Sequence, residues 1–124
     1  MGMKTWFVIG ALGVALAIAL GAFGAHGLVK RVGPEQLAVW KTATDYHLYA
    51  ALGLLVMGVM LRLFPESNGV NHSAMLLAVG ATLFSGSLYL LVLTGQRWLG
   101  PITPLGGLTM IVAWLNFAWG AWRL

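Results

Sequence analysis

The sequence predicts an all-α integral membrane protein, a four-helix bundle that forms one transmembrane domain with both termini on the same side of the bilayer. Three observations carry this. Of 124 residues, 60% are hydrophobic and only 8% charged, whereas soluble domains are about half apolar and a quarter charged. Charges fall at the ends of long uncharged stretches, and four apolar segments are each able to cross a hydrocarbon core that needs about 20 helical residues. Turn-forming residues cluster between those stretches.

The first span covers residues 5–29, because no charge occurs between Lys4 and Lys30. A cleaved signal peptide competes for this segment, since Lys4 precedes an apolar run and Ala22-Phe23-Gly24 is a small-x-small site. The run from Trp6 to Ala25 exceeds the roughly 7–15 residues of a signal core, so it is read as a span. Gly33-Pro34-Glu35 then starts a second helix, with proline suited to the first turn and glutamate to the positive helix end. Running to Leu63, that helix is about 45 Å long and exceeds the core thickness. Its first turns around Leu37 and Trp40 therefore belong to the interface, and immersion within span 37–63 begins near Ala43.

Pro65-Glu66-Ser67-Asn68-Gly69-Val70-Asn71 reads as the next loop, and residues 74–95 as the third span. Gly100-Pro101-Ile102-Thr103-Pro104 is excluded from regular helix by its prolines, which leaves residues 105–122 as the fourth span. Lys30, Arg31, Lys41 and Arg97 lie on one side, with Lys4, Arg62 and Arg123 on the other, so the basic count sets no orientation.

Several function classes fall away. The chain has no cysteine, which removes thiolate metal sites and cysteine nucleophiles. The net charge of +4 is dispersed over span ends and forms no nucleic-acid patch. Ser85 has no catalytic base beside it in sequence, Ser85-Gly86-Ser87 is not a nucleophile elbow, and the glycines lie inside apolar helices, away from any phosphate-loop context. His26 and His47 lack the spacing of a metal or haem pair, so neither metal nor cofactor is expected. Trp114, Phe117, Trp119 and Trp122 read as packing and interface anchors, and methionines such as Met57 and Met110 as adaptable packing.

Three sets of residues remain as candidates. Counting inward from the span ends places His26, Asp45, His47, Gln96 and Arg97 near one membrane face, and ionisable groups at depth mark substrate or proton routes. A structural alternative pairs Asp45 with Arg97. Ser85, Ser87, Tyr89, Thr109 and Asn116 are expected to hydrogen-bond between helices. Gly13, Ala17, Gly21 and Ala25 recur every four residues on the first span and form a packing face for another span, a second copy or another membrane protein.

The motifs Gly21-Ala22-Phe23-Gly24-Ala25-His26-Gly27, Trp40 with Thr42-Ala43 and Tyr46, Leu83-Phe84-Ser85-Gly86-Ser87-Leu88-Tyr89 and Ile102-Thr103-Pro104-Leu105-Gly106-Gly107 resemble those of a family of small membrane proteins. It is known as domain of unknown function 423 and includes animal transmembrane protein 256. The resemblance covers nearly the whole chain. It implies a four-helix protein of the bacterial plasma membrane, and it implies no reaction. Where relatives read Tyr-Gln-x-aromatic-His, this chain reads Tyr46-His47-Leu48-Tyr49-Ala50, with its histidine a helical turn earlier. The leading expectation is a non-enzymatic structural or interaction protein. Its alternative is a small-molecule, lipid or proton pathway built on the polar cluster.

Overall fold

A computed structural model describes residues 2–124. Among them there is no strand, and four helices are long and apolar enough to cross a membrane. These are α1 (Met3–His26), α2 (Pro34–Leu63), α3 (Asn68–Thr94) and α4 (Ile102–Trp122), with single 3-10 turns at Leu28–Lys30 and Arg97–Leu99.

The connections follow from their residues. Pro34 enters α2 in its first turn after Gly33, with Glu35 beside the positive end of the helix. The next loop is shorter than its composition suggests. Ser67 Oγ accepts the Val70 N–H, which caps α3 at Asn68 and draws Asn68 to Asn71 into the helix. Gly95, with φ of 71°, ends α3 in the left-handed conformation, and its N–H returns to the Leu91 carbonyl at 2.8 Å. Thr103 and Pro104 also prove helical. Both lie in the first turn of α4, where the N–H that proline lacks has no intrahelical acceptor to miss.

Packing runs in chain order, α1 on α2, α2 on α3 and α3 on α4. The outer helices also lean across the central pair. Trp6 of α1 donates its indole N–H to Asn71 Oδ1 of α3 at 2.8 Å, and Trp114 of α4 lies over Gly53 of α2. The apolar core, with Trp6, Leu54, Met57, Val70, Leu77 and Ala113 among its members, gathers toward the α2–α3 turn. Asn116 ties the last turns of α4 to the same region, donating to the Gly69 carbonyl at 3.1 Å and to Ser73 Oγ at 2.7 Å.

Glycines set the closest crossings. A Cβ on Gly106 would overlap the Phe84 backbone nitrogen and stand 2.8 Å from the Gly80 carbonyl oxygen, so α3 and α4 meet backbone to backbone. On α1 the seam against α2 is Gly10, Gly13, Ala17 and Gly24. Added Cβ atoms would stand 3.0 Å from the Ala51 carbonyl oxygen at Gly10 and 2.6 Å from Trp40 Cδ1 at Gly24. The four-residue stripe therefore splits. Gly13 and Ala17 pack, whereas a Cβ on Gly21 would meet nothing within 4 Å and Ala25 is exposed. Each four-residue step overshoots a full turn by about 40°, so three steps carry the stripe off the interface, while a seven-residue seam drifts only about 20° per repeat.

Candidate functional site

The side chains that carry the most chemistry meet where α1, α2 and α3 approach one another. Burial of polar groups within apolar helices demands partners, and the α2–α3 seam supplies them. Ser85, buried on α3, donates to the Ala43 carbonyl of α2 at 2.8 Å. Trp40, 3% exposed, donates its indole N–H to the Leu20 carbonyl of α1 at 2.8 Å. Its ring packs edge-on to Phe23 and tilts against Tyr89 with centroids 4.8 Å apart. Gly24 makes room for that indole.

His47 faces α3 from the middle of α2. Its Nδ1 lies 2.8 Å from Tyr89 Oη, and its Nε2 stands 4.0 Å from the position of a Cβ on Gly13 of α1. Where the phenol hydroxyl donates to Nδ1 the imidazole proton sits on Nε2, on the side of the Gly13 backbone, and in the other tautomer Nδ1 donates to the phenol oxygen. Both side chains are half-buried and line a cleft of about 320 Å³ between α1, α2 and α3. Ile9, Leu16, Ala51 and Leu54 make up much of its wall, with Thr82 and Ser85 as further polar members.

The rest of the expected cluster does not assemble around this pair. His26 is exposed at the end of α1, and Gln96 and Arg97 are exposed beyond the end of α3, with Arg97 in the following 3-10 turn. Asp45 pairs with Lys41 at 2.8 Å one turn earlier on α2, so its ion pair is local and Arg97 takes no part in it. These residues do not share one depth, since His47 lies beside Gly13, about 20 Å along α1 from His26. Nor do they share one face, since Asp45 and His47 are two residues apart and point about 200° away from each other.

The inter-helix candidates divide similarly. Ser87 Oγ lies 2.6 Å from Thr103 Oγ1 and joins α3 to α4, while Ser85, Tyr89 and Asn116 make the cross-helix bonds given above. Thr109 instead donates to the Leu105 carbonyl of its own helix at 2.7 Å, the usual retreat of an exposed threonine. Trp6 is absent from the residues expected to act, Asn71 is expected only as part of a loop, and Trp40 only as an interfacial residue and a member of the family motif. An indole that must hydrogen-bond when buried was the available signal for both tryptophans.

Two other features bound the chemistry. Among the described residues no group of three or more His, Asp or Glu could hold a metal ion. A wider concavity, about 830 Å³, lies at the far end between the α2–α3 turn and the last turns of α4, edged by Glu66, Trp119 and Arg123.

A family model described as "Protein of unknown function (DUF423)" matches residues 20–107, a stretch that contains Trp40, His47, Ser85 and Tyr89. The UPF0382 membrane protein SSP2132 of Staphylococcus saprophyticus is 43% identical over 122 residues, covering 98% of this chain and all of the relative. The UPF0382 membrane protein YwdK of Bacillus subtilis is 43% identical over 113 residues, 91% of this chain and 92% of the relative. No solved structure matches.

Proposed function

The chain belongs to the DUF423 family of proteins of unknown function, a multi-pass membrane protein family whose name assigns no activity, and from its own residues we propose a non-enzymatic protein that works by binding within the bilayer. Its occupant is a small lipid-phase molecule, held in the cleft between α1, α2 and α3 with its polar group against His47 and Tyr89. One observation carries this reading: the His47–Tyr89 pair borders an open cleft of about 320 Å³ and is not sealed between helices. That volume is at the lower end of small-molecule pockets, whose usual form is an apolar wall with a few polar groups. A histidine at membrane depth is costly to keep and suggests a role beyond packing. Gly13 lines the same cleft, and a Cβ there would press on Ala51 Cβ at 3.0 Å and stand 4.0 Å from His47 Nε2.

Native mass spectrometry of the full-length protein, extracted gently from its own membrane, tests the proposal. Wild type is expected to carry a reproducible small molecule that His47→Phe loses while keeping its helicity. A bare wild-type protein, or equal retention by the variant, overturns it. A second reading, an interaction protein that pairs through α1, is favoured by Gly21 and Ala25, which are small and left unpacked within the chain. The same spectrum reports it as an oligomer or a complex without ligand.

A further inference from the structure

On the other side of the α2–α3 seam lies a second groove, of about 400 Å³, lined by α2, α3 and α4. Its walls are unusually aromatic, with Tyr46 and Tyr49 from α2, Phe84 from α3 and Trp114 from α4. The rings are already arranged against one another. Tyr46 stands edge-on to Tyr49 with centroids 5.5 Å apart and tilts against Phe84 at 5.1 Å. Gly107, which has no side chain to fill the space, keeps the α4 wall low.

Three of these aromatic residues also carry hydrogen-bond donors. Neither hydroxyl of Tyr46 and Tyr49 nor the indole N–H of Trp114 has a hydrogen bond among the described residues, whereas Tyr89, Trp6 and Trp40 are all paired. An interfacial aromatic belt accounts for tryptophans at span ends, such as Trp98, Trp119 and Trp122. It does not account for Trp114, which stands about 18 Å along α4 and about 12 Å short of Trp122. Tyr46 and Tyr49 lie about 5 and 9 Å further along α2 than Ala43. Tyr46, Tyr49 and Trp114 are 44%, 57% and 40% exposed, so their donors are open to an acceptor that arrives from the lipid phase.

We propose that this groove binds a flat ring bearing hydrogen-bond-acceptor oxygens on an apolar tail, the alkylated quinone class, entering sideways from the bilayer. The aromatic walls offer the ring offset and edge-on stacking. The phenol hydroxyls and the indole N–H are donors matched to carbonyl oxygens, and the tail remains in lipid. Phosphate-bearing headgroups are a poorer match, because no lysine or arginine lines the groove. The site is independent of the His47 cleft, with which it shares only Ala50.

The test uses the full-length protein in vesicles of phosphatidylethanolamine and phosphatidylglycerol, titrated with a decyl-substituted benzoquinone while tryptophan fluorescence is followed. Decylbenzene, which has the tail and a ring without the oxygens, is the control. Saturable quenching is expected for the quinone and not for decylbenzene. Tyr46→Phe/Tyr49→Phe, which removes two hydroxyls and keeps both rings, is expected to weaken binding about tenfold. Ile111→Phe, at a position that is 58% exposed and borders the groove, is expected to abolish it by filling the space without touching the core. His47→Phe is expected to bind as wild type does. Quenching that never saturates, or equal affinity in the tyrosine variant, overturns the proposal. So does loss of binding in His47→Phe alone, which would put the ring in the other cleft.

Discussion

Substituting Gly106 by alanine tests the packing most directly, because the new methyl has nowhere to go. Its carbon would overlap the Phe84 backbone nitrogen and stand 2.8 Å from both the Gly80 carbonyl oxygen and Phe84 Cα. All three are helix backbone, so no rotamer change relieves the contact and α3 and α4 must part by more than about 0.5 Å. A gap of that size forfeits a quarter to a half of each dispersion well along the seam. Overpacking of this kind costs about 1–3 kcal/mol. Parting the helices also stretches the Ser87–Thr103 hydrogen bond, worth roughly 0.6–2 kcal/mol in a membrane. Alanine returns about 1 kcal/mol through its better helix propensity. The expected net loss is about 2 kcal/mol. Gly21→Ala is the matched control, since its methyl meets nothing within 4 Å and should leave stability unchanged or raise it by up to about 1 kcal/mol. Unfolding in mixed micelles by titration with sodium dodecyl sulfate, followed by circular dichroism, measures both. The reasoning is refuted if Gly21→Ala loses as much as Gly106→Ala, the order that a four-residue packing stripe on α1 would produce.

Ser85→Ala removes the hydroxyl that bonds the Ala43 carbonyl across the α2–α3 seam, and in the same titration it should cost about 0.6–2 kcal/mol; an unchanged midpoint would show that the bond contributes nothing. Asp45→Asn breaks only the exposed pair with Lys41, so its midpoint should match wild type at low and at high salt, and a loss as large as that of Ser85→Ala would show a partner other than Lys41.

Local signals made the fold class legible. The charge-free stretch after Lys4, the Pro34 helix start and the prolines after Gly100 each act on their own segment, so four helices follow without knowledge of their neighbours. The site depended on rotation about each helix axis and on partners far away in sequence, and depth alone carries neither. His47 and Tyr89 are 42 residues apart, and nothing near either one announces the other. Rotation was partly available. Asp45 and His47, two residues apart on one helix, cannot share a face, and that arithmetic alone separates the surface ion pair from the cleft. Within the chain the stripe of Gly13, Ala17, Gly21 and Ala25 packs only at its first two members, since its drift around α1 outruns a nearly straight interface. The residues that carry the family resemblance do converge: Gly24 on Trp40, Trp40 on Tyr89, Ser87 on Thr103 and Gly106 on Phe84.

The order of packing also bears on what kind of function the chain supports. α2 and α3 form a central pair with α1 and α4 laid against it, and the space this leaves is two grooves flanking the seam. A proton route needs titratable or hydrogen-bonding groups in succession across the membrane. From His47 toward the α2–α3 turn the cleft wall is Ile9, Ala50, Ala51 and Leu54, and beyond it lies the apolar core around Met57, Val70 and Trp6. A proton arriving at His47 has Tyr89 on one side and the Gly13 backbone on the other, and the hydroxyls of Thr82 and Ser85 in the same wall are each committed to a backbone carbonyl. The same arrangement suits a molecule that enters sideways from the lipid, buries its apolar body along the wall and spends its one polar group on the pair. Lateral binding is therefore favoured over conduction by the run of apolar side chains next to His47, as much as by His47 itself.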